Sequence, residues 1–202
     1  MVKVAIFDYG AGNIFSLKTS LEKNDAKVNI ITSFDNVNSY SGLLMPGVGN
    51  FDPAIKSIRD YSKTDFVDFV KNGIPVLGIC LGMEMFFEKS EEGKEKGLGV
   101  IDGEVILLPR EMKIPHMGWN NLQIERPGKI LEGIPNNSWA YFVHSYRVKP
   151  KNKQVIVADS DYGIKIPAVI EYKNFFGTQF HPEKSGKAGS QMIRNFLREC
   201  KK

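Results

Sequence analysis

Cysteine is scarce in this sequence: there are two, Cys80 and Cys200, among 202 residues. That count gives no disulfide framework, which small secreted domains need and a chain of this length does not. Histidine is nearly as rare, with His116, His144 and His181 widely scattered. Three histidines and two cysteines at these spacings match no metal-ligand pattern, so no metal and no cofactor is expected. No uncharged apolar run approaches the length of a membrane span. The opening MVKVAIFDYG has no long apolar core of a signal peptide and runs straight into a strand pattern. Blocks of one charge are missing too: 27 Lys and Arg stand against 23 Asp and Glu, and no basic run exceeds a dipeptide. A net charge of +4 then describes a solvated lysine-rich surface, with little support for a nucleic-acid partner. With 42% hydrophobic and 25% charged residues, the expectation is a soluble cytoplasmic protein with one sizeable core.

What is present is alternation. Segments 3–10, 27–32, 42–50 and 74–79 are short apolar runs suited to buried strands. Between them lie helical patterns: Ile14, Leu17 and Leu21 after a candidate cap at Asn13, then 53–72 with Phe66, Phe69 and Val70 on one face, then a helix starting over 82–90. This predicts a mostly parallel sheet covered by helices on both faces. Strand patterns over 98–109, 139–150, 153–163 and 167–182 then follow with turn residues between them, and Lys173-Asn174 marks a hairpin. A last helix over 189–200 places Met192, Ile193, Phe196 and Leu197 on one face, with Ser190 a candidate cap. The expected architecture is one α/β domain over 1–202, flavodoxin-like, carrying an antiparallel β extension.

Cys80 lies in Gly78-Ile79-Cys80-Leu81-Gly82, after a strand and before a helix. A tight strand-to-helix turn tolerates a nucleophile only if its neighbours are small, and the helix start directs N–H groups at the sulfur, which favours thiolate. The Leu81 N–H can also face a developing oxyanion. A buried cysteine with two packing glycines fits the same five residues; the strand–turn–helix context favours the nucleophile. Cys200 has no such surroundings and reads as structural. His181 and Glu183 are two apart in an extended stretch, so their side chains share a side, and the carboxylate can hold the imidazole tautomer. The loop Pro46-Gly47-Val48-Gly49 ends a strand and can offer N–H groups to an anion, though it also fits an ordinary turn. All three motifs belong at the carboxyl edge of a parallel sheet, where ligands bind. His116 and His144 read as hydrogen-bonded structural residues.

In that order, PG, GICLG and HPE resemble the class I triad glutamine amidotransferases. The blocks FDYGAGN (7–13), MPGVGNF (45–51), IPHMGWN (114–120), YFVHSYRV (141–148) and FHPEKSG (180–186) narrow the resemblance to the glutaminase subunits of imidazole glycerol phosphate synthases. Such subunits hydrolyse glutamine to glutamate and ammonia and pass the ammonia to a (βα)8-barrel cyclase partner, which makes imidazole glycerol phosphate and aminoimidazole carboxamide ribotide. The resemblance implies Cys80 as nucleophile, His181 as proton relay and Glu183 as its orienting carboxylate. It further implies an oxyanion site from Val48, Gly49 and Leu81, with a peptide flip at Val48 coupling activity to the partner. Gly47, Glu84, Glu92, Ser145 and Tyr146 are implied to bind L-glutamine, and Asn13, Trp119, Tyr141 and Lys184 to face the cyclase. Trp119 and Tyr141 could equally be core aromatics, and Lys184 a solvated lysine. Two departures stand out. Glu84 replaces the family's usual glutamine four positions after the nucleophile, which puts negative charge near a thiolate and predicts a raised cysteine pKa. Asn50 stands where alanine is more common. The same chemistry serving an amidino-sugar pathway, a non-catalytic activating subunit, and a cysteine hydrolase are the competing readings.

Overall fold

A computed structural model describes residues 1–10, 12–34, 39–61 and 73–202. The expected strands alternate with helices through the first half: β1 (Val2–Phe7), α1 (Ile14–Glu22), β2 (Ala26–Ile31), β3 (Gly42–Gly47), α2 (Phe51–Tyr61) and β4 (Val76–Cys80). The helical pattern over 53–72 is observed as far as Tyr61; Phe66, Phe69 and Val70 lie outside the described residues. Asn13 caps α1 by accepting the Ser16 N–H, and Leu17 and Leu21 are buried beneath it.

The main sheet has the order β2-β1-β3-β4-β13-β12-β11-β8, with β8 Gln123–Ile124, β11 Ile156–Asp161, β12 Lys165–Tyr172 and β13 Phe175–Thr178. Its first five strands are parallel, and the last three antiparallel. The extension is therefore continuous with the parallel sheet: β13 is hairpin partner to β12 through Lys173-Asn174 and also lies parallel to β4, Gly177 beside Gly78. That pairing brings the strand leading to His181 next to the strand that ends in Cys80. One face is covered by α1 and by the last helix, α4 (Gly186–Glu199), through Met192, Ile193, Phe196 and Leu197. The other face is covered by α2, through Phe51, Ala54, Ile55 and Ile58. Each fully buried Leu, Ile or Phe contributes roughly 1.5–3 kcal/mol over an exposed one.

Three expectations need correction. The helix expected from 82–90 is only four residues, α3 (Leu81–Glu84). Met85, Phe86 and Phe87 turn into the core, and their carbonyls accept N–H groups of residues 98–101 in place of a further helical turn. The apolar run 139–150 is two strands parted at Ser145: β9 (Trp139–His144) pairs with β7 (His116–Asn121), while β10 (Tyr146–Pro150) pairs with β6 (Gly103–Leu107). α4 begins earlier than expected, so Ser190 lies inside it and Ser185 takes the cap position. The Ser185 hydroxyl does not cap; it donates to the His181 carbonyl at 2.6 Å and accepts the Tyr141 N–H at 3.0 Å. Among the described residues, no helix is long and apolar enough to cross a membrane.

Candidate active site

Cys80 ends β4 and precedes α3 with φ +52° and ψ −112°. A positive φ at a non-glycine residue costs of order 1–3 kcal/mol and persists where the surroundings impose it. The imposing contacts are visible. A Cβ on Gly82 would stand 1.7 Å from the Met45 carbonyl oxygen on β3, and one on Gly78 would stand 2.6 Å from the Gly82 carbonyl oxygen. The two glycines let the turn fold flat against β3, where Gly47 lies opposite Cys80.

The thiol is 7% exposed and opens onto a cavity of about 270 Å³. Val48, Gly49, Leu81, Glu84, Glu92, Ser145 and Tyr146 line it, so the residues expected around glutamine share one cavity. Gly47 lies just outside, packed so closely that a Cβ would come within 2.4 Å of the Tyr9 hydroxyl. Gly49 has φ +123°, which suits the expected glycine hinge after Val48. Glu92 accepts the Phe51 N–H at the start of α2. The sequence reading missed Pro115, Val143 and His144, which complete the wall. The Cys80 thiol faces the Val143 carbonyl at 3.7 Å.

His181 and Glu183 meet at 3.0 Å, Nδ1 to Oε1, with both side chains almost wholly buried. The expected convergence is present, with different local geometry: Pro182–Lys184 form a short 3-10 turn, and only His181 is extended. His181 Nε2 is buried with no hydrogen-bond partner, a nitrogen left free to exchange a proton.

The electrostatics correct one expectation. The start of α3 does turn the Leu81 N–H toward the sulfur, which lowers the thiol pKa, but burial foremost and then Glu84 push it well above its ordinary value. A four-residue helix has little dipole to set against that. Glu84 behaves as the substitution predicted: it is buried beside Cys80 and raises it, and its own carboxyl is pushed up to about 8 by burial, with Glu92 adding. Gln179, absent from the expected site, donates to Glu84 Oε1 at 3.1 Å and lies 3.8 Å from the Cys80 sulfur.

His116 and His144 are a buried pair, 2.9 Å apart. His144 Nδ1 donates to the Tyr146 carbonyl at 2.7 Å, so its Nε2 accepts from His116 Nδ1. Burial pushes His144 down to about 3 and His116 to about 4, so both stay neutral; His144 lines the cavity and His116 supports it from behind. The opposite face of the β7/β9 ribbon presents Met117, Trp119 and Trp139, all more than half exposed. Tyr141 joins this face between Trp119, ring centroids 5.9 Å apart, and the Lys184 ammonium, 5.9 Å from its centroid. Asn13 stays at the α1 cap.

The chain matches the family model described as "Glutamine amidotransferase class-I" over residues 5–200. It is 44% identical over 199 residues to imidazole glycerol phosphate synthase subunit HisH 1 of Methanococcus maripaludis, covering 96% of this chain and 98% of that one. It is 41% identical to the subunit HisH of Aquifex aeolicus over 204 residues, covering 100% and 99%. A crystal structure of a glutamine amidotransferase superposes with TM-score 0.79 at 18% identity, covering 98% of this chain and 99% of the other; PurLQS from Thermotoga maritima gives 0.76 at 16%, with the same coverage. These last two likenesses speak for the fold alone.

Proposed function

We infer the function from one premise: the chain belongs to the class-I glutamine amidotransferase family. It is the glutamine-hydrolysing subunit of an imidazole glycerol phosphate synthase and supplies ammonia for histidine biosynthesis. The observation that carries this reading is the strained Cys80 elbow opening on a cavity, with β13, paired to its strand, leading to a buried His181 that Glu183 holds and whose Nε2 is unpartnered. The Cys80 proton passes to His181 Nε2, and the thiolate attacks the side-chain amide carbon of glutamine. The oxyanion accepts N–H groups at Leu81 and at the Val48-Gly49 loop. His181 returns its proton to the departing nitrogen, so ammonia leaves and a glutamyl thioester remains. Water then attacks the thioester carbon, His181 takes its proton, and the C–S bond breaks to give glutamate and the thiol. Glu183 fixes the His181 tautomer throughout.

Glu92 receives the glutamine ammonium, and Ser145 and Tyr146 its carboxylate side; Glu84 closes the cavity next to Cys80. The exposed Met117, Trp119 and Trp139, with Tyr141 and Lys184, form the docking face for the cyclase subunit, a (βα)8 barrel. This face is the outer side of the same ribbon whose Val143 carbonyl touches the thiol, which gives the partner a short route to the nucleophile. The complex works in the cytoplasm. The test is glutamate release from glutamine, with and without the cyclase subunit and its nucleotide. Little release alone and strong stimulation by the complex are expected; equal turnover in both would sink the coupling. Cys80→Ala should end release while the complex still assembles.

A further inference from the structure

Glu84 is 4% exposed and lines the same cavity as the thiol. A buried carboxylate ordinarily has a cation against it. Among the described residues, no Lys or Arg lines this cavity, and its other titratable groups are Cys80, Glu92, His144 and Tyr146. His144 cannot act as counter-ion, because its two nitrogens are committed to Tyr146 and His116. Beyond the wall, Tyr9 from the end of β1 and Glu183 add acidic groups to the field around Cys80, and the base on that side is His181, which Glu183 holds. The neutral partner of Glu84 is the Gln179 amide, 3.1 Å away, and the same NH2 group points at the Cys80 sulfur from 3.8 Å. Gln179 Oε1 is buried without a partner, so this amide is fixed only by what its NH2 group serves.

We propose that Cys80, Glu84 and Gln179 form a unit that holds one negative charge, on the thiolate or on the carboxylate but not on both, so that Glu84 must keep its proton for the nucleophile to be ready. The inference rests on reading Cys80 as that nucleophile. Two acids sharing one donor, with no described lysine or arginine against them, titrate as a pair, each making the other harder to ionise. The directions agree: burial and Glu92 raise Glu84 to about 8, and burial and Glu84 raise Cys80. In the ready state the Cys80 proton sits on His181 Nε2 and Glu84 is a neutral acid. Once Glu84 releases its proton to solvent, its charge holds the other proton on sulfur. A glutamine at position 84 would lack this brake. Glu84 is here a positioning residue that sets the charge state of the thiol and gives glutaminase activity an alkaline limit.

The test is the pH profile of Cys80 alkylation by iodoacetamide on the full-length chain, with the modified cysteine located by mass spectrometry. Glu84→Gln should lower the apparent midpoint by about one unit, roughly tenfold more thiolate at fixed pH, with the gap widening as pH rises through about 8. Superimposable profiles would overturn the proposal. Infrared spectroscopy gives a second readout that does not need activity. At neutral pH the native chain should show a protonated-carboxyl stretch that Glu84→Gln lacks; a native chain without that band would also overturn it. Gln179→Met should retain the band to higher pH, and an unchanged midpoint would remove Gln179 from the unit. Glutamate release by Cys80→Ala would defeat the nucleophile reading while leaving the Glu84 titration to be judged by the infrared band.

Discussion

Cys80 and Cys200 are hidden to the same degree, each 7% exposed, and burial raises both thiols, Cys200 to about 12. Both have glycine neighbours: a Cβ on Gly42 would stand 2.4 Å from the Cys200 sulfur, and Gly78 and Gly82 flank Cys80 in sequence. Burial, pKa direction and glycine neighbours therefore do not separate a nucleophile from a packing residue. Backbone and company do. Cys80 has φ +52° at a strand end, whereas Cys200 has φ −66° and finishes α4 as a relaxed helix cap. Cys80 opens on a cavity, and β13, paired to its strand, leads to His181, whose buried Nε2 has no partner; Cys200 lies among Lys129, Lys202 and Glu199 on a surface pocket with no histidine among its described lining residues. Strain that the fold maintains and a base left without a partner set the proposed nucleophile apart from Cys200.

The largest expected difference is in activity. Cys80→Ala should cut glutamate release by the assembled complex on the order of 10⁴-fold or more, because no other group can form the thioester. Cys200→Ala should leave release within about twofold and cost only about 1–2 kcal/mol of stability from lost packing. A comparable loss of activity in both would break the comparison.

Much of this contrast was legible in the chain. The alternation of apolar runs and helical spacing is local, and it yields the parallel half of the sheet. The Cys80 turn and the two-residue spacing of His181 and Glu183 are local as well. What the sequence hid depends on groups that meet from far apart. Gln179 reaches Cys80 across 99 positions, and Val143 across 63. The split of 139–150 at Ser145 is set by two different partner strands, β7 and β6, and leaves no mark in the hydropathy pattern. The 82–90 segment keeps helical spacing, yet tertiary acceptors for residues 98–101 stop the helix after Glu84.

The next largest effect is the pH dependence of stability around Cys80. Glu84 has its folded pKa raised from near 4.5 to about 8, so between those values the folded state binds the extra proton. Stability therefore falls as pH rises from about 4.5 to about 8 and stays low above it. Glu84→Gln removes this, and by denaturant titration its advantage over the native chain should grow across that window by on the order of 2–4 kcal/mol. His116 and His144 act with opposite sign: their lowered pKa values make stability complete above about 6.5 and lost as pH falls toward about 4 and 3. A constant Glu84→Gln difference across pH would show that the carboxyl is not held neutral in the folded chain. Cys200, raised from 9 to about 12 by burial and Glu199, should lose its own contribution only as pH rises from about 9 to about 12, outside this window.

The smallest effects sharpen the comparison at the glycines. Both Gly82→Ala and Gly42→Ala force a methyl group into occupied space, but against different atoms. On Gly82 it meets the Met45 carbonyl, main chain of a central strand that cannot yield, so a loss of about 3 kcal/mol or more is expected. On Gly42 it meets the Cys200 sulfur, a side-chain atom at a helix end, so about 1–3 kcal/mol is expected. The second loss should be recovered in part when Gly42→Ala is combined with Cys200→Ala, since the sulfur that blocks the methyl is gone. A double-mutant cycle by urea denaturation measures this coupling. No equivalent rescue exists for Gly82, because its obstacle is backbone. Strict additivity at Gly42 and Cys200 would mean that the methyl is accommodated by movement of β3, and the two glycines would then differ in degree only.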